Sequence, residues 1–140
     1  MRKRTQGREC ALQILYQFEM NPSSLEEVIE AYWEENPDQG QDVREFAEVL
    51  VRGTQDHVKE LDEIIVRATE NWELSRMAVI DRNILRFATF ELLYLEDIPH
   101  KVTLNEAVNI AKKFSQGESG KFVNGVLDKI NHTEKTRYSS

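Results

Sequence analysis

Cysteine occurs once, at Cys10, so no intrachain disulfide can form, and a reducing compartment is the simpler setting. Histidine is also scarce. His57, His100 and His132 are scattered along the chain, and with one thiol they make no zinc-ligand set. No metal and no cofactor are therefore expected. Also missing are an apolar run of about eighteen residues and a basic-then-apolar leader. Neither a membrane span nor a secretory signal is expected, and a cytoplasmic location is the expectation. The glycine patterns of nucleotide enzymes are absent too, since there is no GxxxxGK[ST] loop and no GxGxxG after a strand. Gly117-Glu118-Ser119-Gly120-Lys121 imitates part of a phosphate loop, but it lacks the upstream glycine and the hydroxyl after the lysine, and it follows a helical run. Strands are hard to place anywhere, and neither an internal repeat nor a flexible linker interrupts the chain.

What is present is helical periodicity in 140 residues, a length that suits one domain with its own core. The most informative stretch is Met77 to Leu95. Ile80, Ile84, Leu85, Phe87, Ala88, Leu92 and Leu95 recur there at steps of three and four. Only Asp81, Arg82, Arg86, Glu91 and Glu96 are left to keep one flank wet, so the spacing predicts a central helix with the others packed round it.

The remaining elements follow in order. Residues 1 to 6 are basic and polar and are expected to be loose without a partner. From Gly7, Ala11, Leu12, Ile14, Leu15 and Phe18 make a helical stripe ended by Met20-Asn21-Pro22. Ser23 or Ser24 can cap a second helix whose inward face holds Leu25, Val28, Ile29, Tyr32 and Trp33. A third run extends from Asp42 toward Asn71, with Gly53 marking either a close crossing or a bend. Trp72 reads as a core plug between two halves. Ser75 can cap a turn that runs into the central helix, or a break within Ala78-Val79-Ile80-Asp81 lets Asp81 cap the long segment. Thr103-Leu104-Asn105-Glu106 has the form of a capping box opening the next helix. After the 116–120 turn, Phe122, Val123, Val126, Leu127 and Ile130 build the last helix, with Gly125 allowing close approach to a neighbour; residues from 132 to 140 read as a frayed tail. The expectation is an all-α, compact bundle of about seven helices in two small sub-bundles, forming a single domain over residues 1–140.

Catalytic chemistry finds little support. Cys10 sits in an apolar helix with no identified base, His57 reads as a helix-face histidine, and Asp81 and Glu91 lie too far apart for a recognisable carboxylate pair. Charge is more informative. The net charge is −7, yet residues 23–62 hold twelve acids against three bases, while both ends of the chain are basic. Any nucleic acid must therefore use the ends. Arg2, Lys3, Arg4 and Arg8 offer phosphate contacts at one end. At the other, Lys112, Lys113 and Lys121 bracket the glycine turn beside Phe122, a combination suited to stacking unpaired bases. The plain alternative is that Phe122 is core and the lysines are solvent charge.

Four segments carry a resemblance. Arg8-Glu9-Cys10-Ala11-Leu12-Gln13-Ile14-Leu15-Tyr16, Arg82-Asn83-Ile84-Leu85-Arg86, Lys101-Val102-Thr103-Leu104-Asn105-Glu106-Ala107 and Phe122-Val123-Asn124-Gly125-Val126-Leu127-Asp128-Lys129 together closely resemble the NusB family of transcription antitermination factors, in family order over about residues 4 to 130. The resemblance implies two small helical bundles, no catalysis, and binding of the boxA element of ribosomal RNA leader transcripts as single-stranded RNA. It also implies a protein partner, the small ribosomal protein NusE, and through other Nus factors the RNA polymerase elongation complex. It leaves a homodimer open. The family domain also occurs ahead of RNA cytosine methyltransferases, but these 140 residues leave no room for a methyl-donor-binding sheet.

Carried over by motif, the RNA-binding residues are Arg2, Lys3, Arg4 and Arg8 with Glu118, Ser119, Lys121, Phe122 and Asn124. Glu118 would repel phosphate, though it can accept from a cytosine amino group. The partner surface maps near Tyr16, Glu19, Asp81, Arg82 and Arg86. The family fold is expected to bring the two basic ends together. The rival expectation is a protein-interaction module that makes no direct RNA contact.

Overall fold

A computed structural model describes residues 2–70 and 72–134; the predicted tail at 135–140 lies outside the described residues, as does Met1. Seven α-helices follow one another: α1 (Lys3–Met20), α2 (Leu25–Glu35), α3 (Gln41–Asp56), α4 (Val58–Ala68), α5 (Val79–Tyr94), α6 (His100–Phe114) and α7 (Ser119–Thr133). A 3₁₀ turn, Leu74–Arg76, leads into α5. Among the described residues there is no strand. No helix among them is long and apolar enough to cross a membrane.

Helices α1 to α3 pack together, as do α4 to α7, and α5 joins the two groups by touching α1, α3, α4, α6 and α7. The predicted central helix is therefore found, and its burial is nearly complete. Ile84, Leu85, Phe87 and Ala88 are wholly removed from solvent and belong to one continuous apolar cluster that draws on every helix. At about 1.5–3 kcal/mol for each large side chain removed from water, this cluster dominates the fold's stability.

The expected wet flank is exposed only at Glu96, just past the end of α5; within the helix it is not wet. Asp81 and Glu91 are buried, and Arg82 and Arg86 keep only about an eighth of their side chains exposed. Each of these carboxylates and guanidinium groups has a partner on another element, which is how a helix surrounded on all sides can keep charged residues. Arg86 forks onto both carboxylate oxygens of Asp62 in α4, at 2.7 and 3.0 Å, and reaches Glu19 of α1 at 3.0 Å. Arg82 also bonds Glu19 and donates to the Leu74 carbonyl at 2.9 Å.

Local signals were met unevenly. Ser24 does cap α2, accepting from the Glu27 amide. The long third run breaks at His57 rather than at Gly53, so it forms both α3 and α4. Gly53 marks a close crossing, because a Cβ there would stand 2.0 Å from Cζ of Phe90. Gly125 faces open space and permits no close approach. Helix α1 starts at Lys3, ahead of its apolar stripe, and α7 runs through His132 and Thr133. Helix α6 starts at His100, which leaves the expected capping box inside the helix.

Candidate nucleic-acid interface

Gly117 turns the chain between α6 and α7 with φ +66°, a left-handed conformation that glycine adopts without a Cβ penalty. Gly120 then lies against the Lys112 side chain, its ideal Cβ position 3.2 Å from that chain's Cγ. The turn is anchored from below. Ser119 Oγ lies 3.0 Å from Asp81 Oδ2 and 2.9 Å from Ser115 Oγ, so one hydroxyl ties α7, α6 and the first turn of α5. Asp81 is thus a buried acceptor for this turn rather than a cap, and its other carboxylate oxygen has no partner.

Above that anchor the side chains are open. Lys121 and Asn124 are exposed, and Lys121 pairs with Glu118 at 3.3 Å across solvent, an arrangement of small energetic weight. Phe122 is half-buried and meets Trp72 edge to face, with ring centroids 5.3 Å apart. Trp72 is 45% exposed, so it is no core plug. It is a surface aromatic next to a basic turn. Its position in the short 71–75 connection hid this from a sequence reading, which weighs tryptophan as core.

The basic start of the chain has a different structure from its expected one. Arg2 is exposed, Lys3 reaches Asp42 at 2.9 Å, and Arg4 lies over the Phe46 ring and 3.4 Å from Asp97. Arg8, expected beside them on the phosphate path, is 1% exposed. Its Nε and one terminal nitrogen each donate to Glu91 at 2.8 Å, and the other terminal nitrogen reaches Glu106 at 3.2 Å. Thr103 donates to Glu91, and Thr5 bonds Glu106. The Thr103–Glu106 spacing that looked like a capping box instead aims both side chains inward to this buried pair. Arg8 is therefore withdrawn from the surface and joins α1, α5 and α6.

The two basic ends are not side by side. Arg4 lies near the start of α6, whereas the glycine turn shares a groove with Tyr16, twelve residues further along α1. At 1.5 Å per residue that is about 18 Å. Helix α6 covers this distance. Its exposed positions Lys101, Asn105, Asn109, Lys112 and Lys113 follow one another at helical steps. The only acid on α6, Glu106, is already bonded to Arg8 and Thr5. A polar, acid-free stripe thus runs from the arginine-rich start to the Lys121 turn. Asn105 and Asn109 were missed in the sequence, although their i, i+4 spacing between lysines was the available signal.

Among the five residues mapped to a partner surface, Glu19, Arg82 and Arg86 do come together, but chiefly to bind one another. Asp81 is buried under the turn. Tyr16 is 40% exposed and stands over an apolar groove of about 310 Å³ shared with Leu12, Ile80 and Phe114. Cys10 is buried, and no group of three or more metal-ligating side chains exists among the described residues.

Known proteins show a similar sequence and the same fold. The model of the NusB family matches residues 5–132. The transcription antitermination protein NusB of Thermodesulfovibrio yellowstonii is 47% identical over 137 residues, covering 91% of each chain. That of Myxococcus xanthus is 48% identical, covering 93% of this chain and 95% of its own. A solved structure of NusB from T. maritima superposes with a TM-score of 0.85 at 38% identity, covering 96% of both chains. A structure of antitermination factors NusB and NusE in complex with dsRNA superposes at 0.86 and 30% identity, covering 94% of this chain and 98% of that one. These relatives are transcription antitermination factors rather than enzymes. With the match spanning nearly all of the chain and the seven-helix bundle superposing throughout, the chain belongs to the NusB family.

Proposed function

We propose that this antitermination factor binds the boxA element of ribosomal RNA leader transcripts as a single strand, together with the ribosomal protein NusE, and in the cytoplasm supports processive elongation by RNA polymerase through other Nus factors. The observation that carries the RNA path is the acid-free stripe on α6 that links the two basic ends. Arg2, Lys3 and Arg4 gather phosphate at its start, and Lys112 and Lys121 hold the backbone at its end. Asn105, Asn109 and Asn124 present amides to base edges. Trp72 and Phe122 offer ring surface on which unpaired bases stack, which favours a single strand over a duplex. Glu118 accepts from a cytosine amino group at the edge of the turn. Arg8 and Ser119 act from beneath, holding α1 and the turn in place.

Tyr16 and its groove are the proposed contact for NusE, with Glu19, Arg82 and Arg86 stiffening the helices behind it. Crosslinking a boxA-like RNA with photoreactive bases and mapping the adducts tests the path. Adducts on residues 2–4, α6 and 118–124 support it. Adducts confined to the partner protein favour a protein-interaction module instead, a reading encouraged by the exposed Tyr16 and the acidic middle of the chain.

A further inference from the structure

Between Arg8 and Arg44 the chain contains nine acids and not one lysine, arginine or histidine. Four of these acids are spent on ion pairs elsewhere: Glu9 on Lys113, Glu19 on Arg82 and Arg86, Glu26 on Arg52 and Asp42 on Lys3. Glu27, Glu34 and Glu35 pair with no cation among the described residues. Their placement on α2 is specific. They stand at i−4, i+3 and i+4 from Ala31, so all three surround it on one helix face. Glu34 and Glu35 also occupy the last turn of α2, the negative end of its dipole, where acids weaken a helix.

Ala31 lies in an open groove of about 440 Å³ between α1 and α2, where Tyr16, Met20, Val28 and Glu27 also line the walls. Met20 is 51% exposed there. An apolar floor beside uncompensated carboxylates has a definite complement, a peptide that places an apolar side chain in the groove and cations over the acids. Nucleic acid is a poor occupant because the same carboxylates repel phosphate. A second copy of a chain of net charge −7 is disfavoured by its own field. We infer that the α1–α2 groove docks an amphipathic basic segment of another protein. This site lies on the α2 side of Tyr16, whereas the proposed NusE contact lies on its α5–α6 side, and the inference does not depend on RNA binding.

The test is an amide-shift titration of the full chain with an amphipathic lysine–leucine peptide of about fourteen residues, roughly four helical turns. A scrambled peptide of the same composition serves as control. The expected shifts fall on Tyr16, Met20, Val28 and Ala31, with the patterned peptide binding more tightly. Glu34→Lys with Glu35→Lys, which the helix dipole favours, weakens binding roughly tenfold. Glu63→Lys with Glu96→Lys makes the same charge change on α4 and the α5–α6 link, and leaves affinity within about twofold. Equal losses from both pairs, shifts mapping to α6 and α7, or a complex holding two copies of this chain would each overturn the inference. Titrating the same protein with boxA-like RNA should move amides of residues 2–4, α6 and 118–124 and leave Met20, Val28 and Ala31 in place; failure of that arm counts against the RNA path and leaves the groove untouched.

Discussion

Ser119 and Asp81 are thirty-eight residues apart and joined by a 3.0 Å hydrogen bond that fixes the α6–α7 turn on the start of the central helix. Because the second Asp81 oxygen is buried without a partner, removing the Ser119 hydroxyl leaves the carboxylate with neither oxygen bonded. Ser119→Ala is expected to cost about 1–3 kcal/mol in urea unfolding. An unchanged midpoint would mean that water replaces the hydroxyl and that the turn is not held this way.

Arg8→Ala should be more damaging, by about 3–5 kcal/mol, because it strands the buried Glu91 carboxylate. Arg8→Met combined with Glu91→Leu removes both charges and should restore most of that loss. The pair also separates structure from RNA contact. Neutralising Arg2 and Lys3 reduces the salt slope of RNA binding by roughly 0.7 for each phosphate no longer neutralised. The double apolar variant at 8 and 91 leaves the slope alone. A slope that falls in the double variant would return Arg8 to the RNA surface.

Gly53→Ala is expected to destabilise by at least about 1–3 kcal/mol, since its methyl would overlap the Phe90 ring. Gly125→Ala, with no atom near its Cβ, should be neutral or stabilising by up to about 1 kcal/mol, the difference in helix propensity. Equal effects at the two sites in thermal melts would contradict the α3–α5 crossing.

Burial pushes the Cys10 thiol above its ordinary range, and burial followed by contact with Cys10 pushes the Tyr32 phenol up as well. In both cases the unfolded chain ionises first. The folded state then binds more protons, so stability present at neutral pH declines as pH rises above the unfolded values, about 8.5 for the thiol and about 10 for the phenol. Melting temperatures should therefore fall on the alkaline side. Tyr32→Phe should flatten the decline above about pH 10, while forfeiting the phenol's bond to Gln13. An unaltered alkaline slope would show that Tyr32 does not set it.

Phe122→Ala and Trp72→Ala should each weaken RNA binding by about 1–3 kcal/mol if the pair is a stacking platform. Binding measured beside unfolding distinguishes the roles. A loss of stability with unchanged RNA affinity would make both rings packing alone.

Periodicity made the backbone of this fold legible. The apolar spacing of α5 marked the helix that every other group leans on, and Ser24 marked the start of α2. What periodicity cannot show is a partner for a charge. Asp81, Arg86 and Glu91 read as a wet flank because their partners, Ser119, Asp62 and Arg8, lie 24 to 83 residues away. Arg8 read as surface for the same reason. In the proposed site, the turn residues were visible as a basic cluster with an aromatic, but Trp72 joins them only through tertiary packing, and the polar stripe of α6 gains its meaning only once both basic ends are placed.

The most direct test measures binding of a boxA-like single-stranded RNA and a scrambled control at matched salt, with and without a NusE-like ribosomal protein. The account predicts preference for the boxA-like RNA, tightening when the protein is present and lost when Lys112, Lys121 and Asn105 are replaced together. Equal, weak binding of both RNAs even with the protein present would contradict it.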